Sequence, residues 1–300
     1  MNINFQKAKE HAFSNVNKNL EIRENTTLAY RVLRLDAKVE IYANVVCEHC
    51  EIQIAPQAHI QINETASLEL KNCVVKGADS EQGWRSKEKH GCLVENSGTM
   101  KITECQVEDL TIDSTEQWAV RSIGSIEIEN TDFCDCTGNF FRSGPKFKGE
   151  ELKTENFIGQ FFDSSNDPYG IWSWCAWANK DDPYAEDEDE EDEDEEDEEE
   201  DEVDCAAFAF CDFRFAPQRQ YSMHTRDSWS SAPPFLKFDG GLLLNCKFTA
   251  QGDPNEWDAG CFSVNKSLVS GCTFEDCIKG FSKHTDFENC SFVNSTLCQV

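Results

Sequence analysis

A short pattern recurs along this chain and limits the folds open to it more than any other feature. Between Leu242 and Phe292 it occurs three times, as Leu243-Leu244-Asn245-Cys246-Lys247-Phe248, Val269-Ser270-Gly271-Cys272-Thr273-Phe274 and Phe287-Glu288-Asn289-Cys290-Ser291-Phe292. Each copy reads as a turn residue, a Cys, one free position and a Phe. The same frame returns upstream at Asn72-Cys73-Val74-Val75, Glu104-Cys105-Gln106-Val107, Asn130-Thr131-Asp132-Phe133 and Phe210-Cys211-Asp212-Phe213. Six of these seven copies carry Cys at the key position, and one carries Thr.

Repeats of this size, with strand-type alternation and variable insertions, predict a solenoid. Residues two apart in a strand share a face, so Cys and Phe point the same way. Stacked coils then set Cys over Cys and Phe over Phe. A second frame runs in phase: Phe133 leads to Cys136, Gly138 and Phe140; Phe274 leads to Cys277, Gly280 and Phe281; Phe292 leads to Ser295. The pairs Ile52/Ile54, Ile60/Ile62 and Leu68/Leu70 sit eight residues apart, and three such strands make one coil. On these residues the chain resembles the right-handed parallel β-helix, the pectate-lyase-like superfold, over residues 28–140 and 205–298. The expected fold is all-β: a single-domain solenoid with a short N-terminal capping helix and long mid-chain loops. At about 4.8 Å between stacked strands, on the order of ten coils make a rod about 45–50 Å long.

The formal charge of −30 is concentrated. Residues Glu186 to Glu202 are all acidic, 17 of the 57 acids, so 40 acids face 27 bases elsewhere. Such a run repels itself and predicts a disordered loop at 180–204. It suits a basic protein partner and can hold calcium loosely, although it lacks the spaced ligands of a dedicated calcium loop. The acidic body argues against nucleic acid, whose phosphates need a basic face, and against anionic membranes. The N-terminus has no apolar core of signal-peptide length. The reading is therefore cytoplasmic, with the 16 cysteines as buried, reduced thiols.

Phe5, Ala8, Ala12 and Val16 lie at helical spacing, so residues 3–19 are expected to form the capping helix. It would cover the open apolar end of the solenoid. The cap is assigned to 1–27 and the β-helix to 28–300. The C-terminal end shows no cap, leaving a monomer or an end-to-end dimer. Between the two repeat blocks, Trp172 and Trp174 share one face of an alternating stretch, and Trp177 follows close by. They and Trp229 are the candidate binding aromatics, for a protein surface or for sugar stacking.

Cys47-Glu48-His49-Cys50 has metal-ligand spacing but lacks a second ligand pair, so the expectation is two structural thiols and no metal. Asn130-Thr131-Asp132 matches one fragment of the polygalacturonase pattern, while the fragments that should follow are missing. Asp132 occupies the free position and should point outward. His224, Arg226 and Asp227, with Trp229, form the most site-like polar group on a long loop. Asp132, His224, Arg226 and Asp227 are thus the residues on which catalysis would rest. The functional reading is a non-catalytic β-helix that presents an acidic and aromatic surface to a protein partner, as an inhibitor or immunity-type protein would. The alternative is a polysaccharide-binding or polysaccharide-cleaving protein, a lyase or glycoside hydrolase, of the same superfold.

Overall fold

The computed structural model describes residues 13–77, 92–112, 118–164, 205–216, 234–252, 261–278 and 280–299. Among these residues every element is a β-strand, thirty in all. Every pairing between strands is parallel, and across most of the chain a strand pairs with the one three further along. That is the connectivity of a solenoid with three strands per turn, consistent with a parallel β-helix. The second coil shows the pattern: Val32–Leu35, Lys38–Ile41 and Asn44–Glu48 lie under Glu51–Ile54, His59–Ile62 and Ser67–Lys71. The last three strands hold the Ile and Leu pairs that the eight-residue spacing pointed to.

The strands form three faces. The first is a sheet of eleven strands, each carrying the Cys-x-Phe frame or its equivalent. The other two belong to one nineteen-stranded sheet, joined where Leu236–Leu244 and Phe262–Ser270 run straight through the corner. The first face is bounded on each side by a one-residue corner in the left-handed region. On the entering side these residues are Tyr30, His49, Asn72, Glu104, Asn130, Glu151, Phe210, Asn245, Gly271 and Asn289, with φ between 45° and 65°. Left-handed backbone is disfavoured for ordinary side chains by roughly 1–2 kcal/mol, least for Gly, Asn and Asp. The corner recurs because it turns the chain sharply and points the next residue inward.

That next residue is the key position, which reads Arg31, Cys50, Cys73, Cys105, Thr131, Leu152, Cys211, Cys246, Cys272 and Cys290 over successive coils. All but Arg31 and Cys290 are buried. The polar side chain serves the backbone. The N–H of Cys50 donates to Cys73 Sγ, that of Cys73 to Cys105 Sγ and that of Cys246 to Cys272 Sγ, each at 3.4 Å. The N–H of Cys105 donates to Thr131 Oγ1 at the same distance. Each thiol or hydroxyl in turn donates to the carbonyl two residues back: Cys73 to Lys71 at 3.2 Å and Thr131 to Glu129 at 2.9 Å. A small side chain with a weak donor and acceptor suits this corner, and Leu152 shows that it also accepts an apolar one. All fifteen described cysteines are free.

Two residues on, the inward ladder runs Leu33, Ile52, Val75, Val107, Phe133, Thr154, Phe213, Phe248, Phe274 and Phe292. Ring spacing follows strand spacing: Phe213–Phe248 5.2 Å, Phe248–Phe274 5.0 Å and Phe274–Phe292 4.9 Å, all stacked. Around Phe133–Phe238 the interior is almost wholly phenylalanine, twelve of them less than 2 % exposed. In the final coil Phe292 is 38 % exposed, against 1 % for Phe274 one coil earlier.

Two expectations change. Phe13–Val16 is a strand paired with Val32–Leu35, so the C-terminal part of the proposed capping helix is already solenoid, and the first coil spans 13–29. The apolar residues Phe13 and Val16 are three apart, which is helical spacing, so the strand pairing overrides the local pattern. Residues 1–12 lie outside the described residues, as do 165–204, which hold the acidic run. The second correction concerns Phe281, which does not stack under Phe140. Gly280 takes the inward position, where a Cβ would sit 2.3 Å from the ring of Phe262. Phe281 therefore turns outward and is 44 % exposed.

Thr131→Val should destabilise the fold by about 1–3 kcal/mol in chemical denaturation, because it leaves the buried Cys105 N–H without an acceptor. Thr131→Cys should lie within about 1 kcal/mol of the parent. Equal effects of the two substitutions would remove the hydrogen-bonding role of the ladder. Phe248→Ala, in the ring stack, should cost about 3–5 kcal/mol.

Candidate functional site

The outward positions of the first face alternate in charge around its middle coils. Asp132 aligns with Lys153, Lys153 with Asp212, and Asp212 with Lys247. In the next outward row Glu108 aligns with Cys134 and Cys134 with Glu155. Asp132 thus points outward, as its place between two inward residues requires.

A bulge opens the sheet here. Thr154 faces Phe213 and Phe157 faces Phe215, so Glu155 and Asn156 together oppose the single residue Arg214. Asn156 adopts φ 53°. Bulges interrupt the ladder and bend the strand. The inward Thr154 repairs the lost pairing: its Oγ1 accepts from Arg214 N–H at 2.9 Å and donates to Arg214 C=O at 3.0 Å. Above the bulge lies a cleft of about 170 Å³, lined by Asp132, Cys134, Lys153, Thr154, Glu155, Asp212 and Arg214. Arg214 Nη2 reaches Asp212 Oδ2 at 3.4 Å. The other carboxylate oxygen, Asp212 Oδ1, is buried without a hydrogen-bond partner.

Further acids stand at the corners of this face. The corners bounding the first face carry Glu104 and Glu151 on one side and Asp109 and Asp135 on the other, all with positive φ. Asn156 Nδ2 donates to Asp135 Oδ1 at 3.2 Å. The resulting negative field is felt by its neighbours. Burial, then Asp132, Glu155, Asp135 and Glu108, push the Cys134 thiol up to about 11. Glu108 is raised by burial, with Asp109, Glu51 and Asp135 adding to it and Lys76 opposing. Cys134 is therefore a protonated thiol at neutral pH and a poor nucleophile. On the second face the same coils carry an outward row of Arg121, Arg142, Asp163 and Lys237. There Lys237 Nζ lies 3.5 Å from Asp163, and the Arg142 guanidinium lies 5.8 Å from the Trp118 ring.

Of the site residues expected from sequence, Asp132 lies in the cleft. His224, Arg226, Asp227, Trp172, Trp174, Trp177 and Trp229 lie outside the described residues. Lys153, Glu155, Asp212 and Arg214 were missed as a group, because only strand register brings them beside Asp132. The Cys47–Cys50 pair does not converge with its histidine. Cys47 and Cys50 face the core, and hydrogen bonding to Cys50 together with burial raises the Cys47 pKa. His49 occupies the outward corner, stacked on Tyr30 at 4.9 Å. Among the described residues no three His, Cys, Asp or Glu side chains form a metal-binding group. No described helix is long and apolar enough to cross a membrane. No protein-family model matches the chain, and a search of curated proteins returned no match.

Alkylation of Cys134 should be slow at pH 8 and accelerate about tenfold per pH unit up to its pKa, since only the thiolate reacts. Asp132→Asn removes a negative neighbour, so it should lower that midpoint and speed the reaction at pH 8. The measurement is site-resolved mass spectrometry across a pH series. A midpoint near 8.5 in the parent protein would contradict the acidic-field account.

Proposed function

We propose that this protein is a non-catalytic solenoid that binds a basic protein through the acidic first face. The observation that carries this reading is the set of acids on this face: Asp132, Glu155 and Asp212 line the cleft, the bounding corners carry Glu104, Asp109, Asp135 and Glu151, and nearby acids add to burial in raising the Cys134 pKa. An acidic patch on a rigid scaffold attracts a positive partner and sets its orientation more than its final affinity. The run 186–202 adds long-range steering to the same end. An inhibitor or immunity-type role, masking a basic surface, fits this arrangement. On this reading the coils wind right-handed, as parallel crossovers almost always do, in the manner of the pectate-lyase-like superfold. Free thiols throughout suit a reducing, cytoplasmic setting.

A lysine-rich peptide, followed by fluorescence anisotropy, tests the proposal. Binding should weaken steeply as salt rises. The triple variant Asp132→Asn, Asp135→Asn, Glu155→Gln should weaken it about tenfold at low salt, on the order of 1.4 kcal/mol. Deletion of 186–202 should slow association more than it speeds dissociation. Parent-like binding by the triple variant would overturn the assignment.

A second reading rests on Asp132 and Asp212. They stand two strands apart in one outward row, about 9.6 Å between backbones, with Lys153 between them. Two carboxylates spaced across a groove are what glycoside hydrolysis uses. Incubation with acidic polysaccharides, with and without calcium, decides this: product formation lost in both Asp132→Asn and Asp212→Asn would favour the enzyme.

A further inference from the structure

The first five coils have an aliphatic interior, and it is not filled. A cavity of about 150 Å³ runs inside them, from Val16 and Leu28 in the first coil past Ile54 and Met100 to Phe133 and Phe141. Six stacked coils span on the order of 24 Å, so this volume is a narrow axial tube rather than a round void. Every side chain on its wall is hydrocarbon, thioether or thiol. Water in a cavity needs two to four polar partners, and apolar cavities of this volume take apolar guests instead.

The two ends differ. In the first coil Leu20 is 40 % exposed, while Leu33 and Ile41 in the second are 6 % and 2 %. The far end meets the packed rings of Phe133, Phe140 and Phe141, which touch one another at 5.7–6.3 Å. The tube therefore has an apolar mouth at the first coil and an aromatic floor at the sixth.

We propose that this tube binds one unbranched hydrocarbon chain of a free fatty acid or fatty alcohol, methyl end at Phe133 and polar head at the first coil. A compact ring of equal volume would need the space gathered in one place, whereas a chain takes it spread along an axis. The tube lies inside the solenoid and the acidic cleft outside it; they share the strand Asp132–Cys134, whose Phe133 faces in and whose Asp132 and Cys134 face out.

The test uses the full chain and fatty acids of increasing length, each labelled with carbon-13 at the terminal methyl and titrated by NMR. Binding should saturate at one site. Affinity should rise about fourfold per added methylene until the tube is full, and then level off. The labelled methyl of the longest bound chain should show contacts to the Phe133 and Phe141 rings. Val107→Phe extends the ring ladder by one coil, since Val107 pairs with Phe133. The plateau should then come at a shorter chain, with at least a tenfold loss for the longest. Leu110→Phe narrows the same segment and serves if the first variant does not fold. Leu243→Ala, in the phenylalanine-rich half, should leave the series unchanged. Unsaturable uptake, affinity independent of chain length, or a folded Val107→Phe that behaves like the parent would each overturn the proposal.

Discussion

Much of the first face rests on one backbone group, the N–H of the residue that follows a left-handed corner, at Cys50, Cys73, Cys105 and Cys246. The corner turns that residue inward, away from water, and its N–H then points along the solenoid axis. A buried N–H without an acceptor is costly. The next coil supplies the acceptor as a short side chain at the same position, a thiol in Cys73, Cys105 and Cys272 and a hydroxyl in Thr131. The second corner uses the same device, where the Cys277 N–H donates to Ser295 Oγ at 2.9 Å. Cysteine is abundant here because it is small enough for the corner, apolar enough for the core and still able to accept. Redox chemistry is not needed to explain the count.

This explains which parts of the fold were legible in the sequence. Asn72, Asn130, Asn245 and Asn289 tolerate positive φ and mark their corners openly. His49 and Glu151 occupy the same conformation without any compositional sign of it. The rungs that follow them, Cys50 and Leu152, escaped the pattern, whereas Cys105 and Cys211, after the equally unmarked Glu104 and Phe210, were caught by the Cys itself. Cys50 was further disguised by its place in a metal-like motif. Phe281 misled for the opposite reason. A Phe near the expected spacing looked like a rung, but Gly280 holds the inward slot because the Phe262 ring fills the space a side chain would need. The cleft was legible only as the lone outward residue Asp132. Lys153, Asp212 and Arg214 lie 21, 80 and 82 positions further along the sequence, and one long insertion separates Lys153 from the coil of Asp212 and Arg214. Composition carries no record of such register, and a one-residue bulge leaves no mark on it either.

Charge on the first face follows from the same stacking. Opposite charges two residues off alignment on neighbouring strands relieve one another, as Lys76–Glu51 at 2.8 Å and Lys247–Glu275 at 2.9 Å do. Such exposed pairs add little stability, and their main effect is to keep the ladder free of like-charge contacts. The corners have no such partner rows. Acids can accumulate there, at Glu104, Asp109, Asp135 and Glu151, beyond the local supply of bases. The acidic border of the face is thus a property of the corners, and the cleft opens at the bulge in the strand between them.

Stacking like on like also fixes how well the interior fills. In an ordinary globular core, large and small side chains interdigitate, so a deficit in one layer is covered by the next. A parallel solenoid in register has no such remedy. Leu33, Ile52, Val75 and Val107 lie over one another, and a gap beside one is continued by the gap beside the next. Small shortfalls add along the axis into a tube. Where the ladder switches to phenylalanine at Phe133, each ring spans the width its aliphatic predecessor left open, and neighbouring rings from Phe140, Phe157 and Phe161 close the remainder at 4.9–6.1 Å. The two halves share one backbone plan and differ only in the width of the side chain repeated along it. That difference alone makes one half solid and the other hollow.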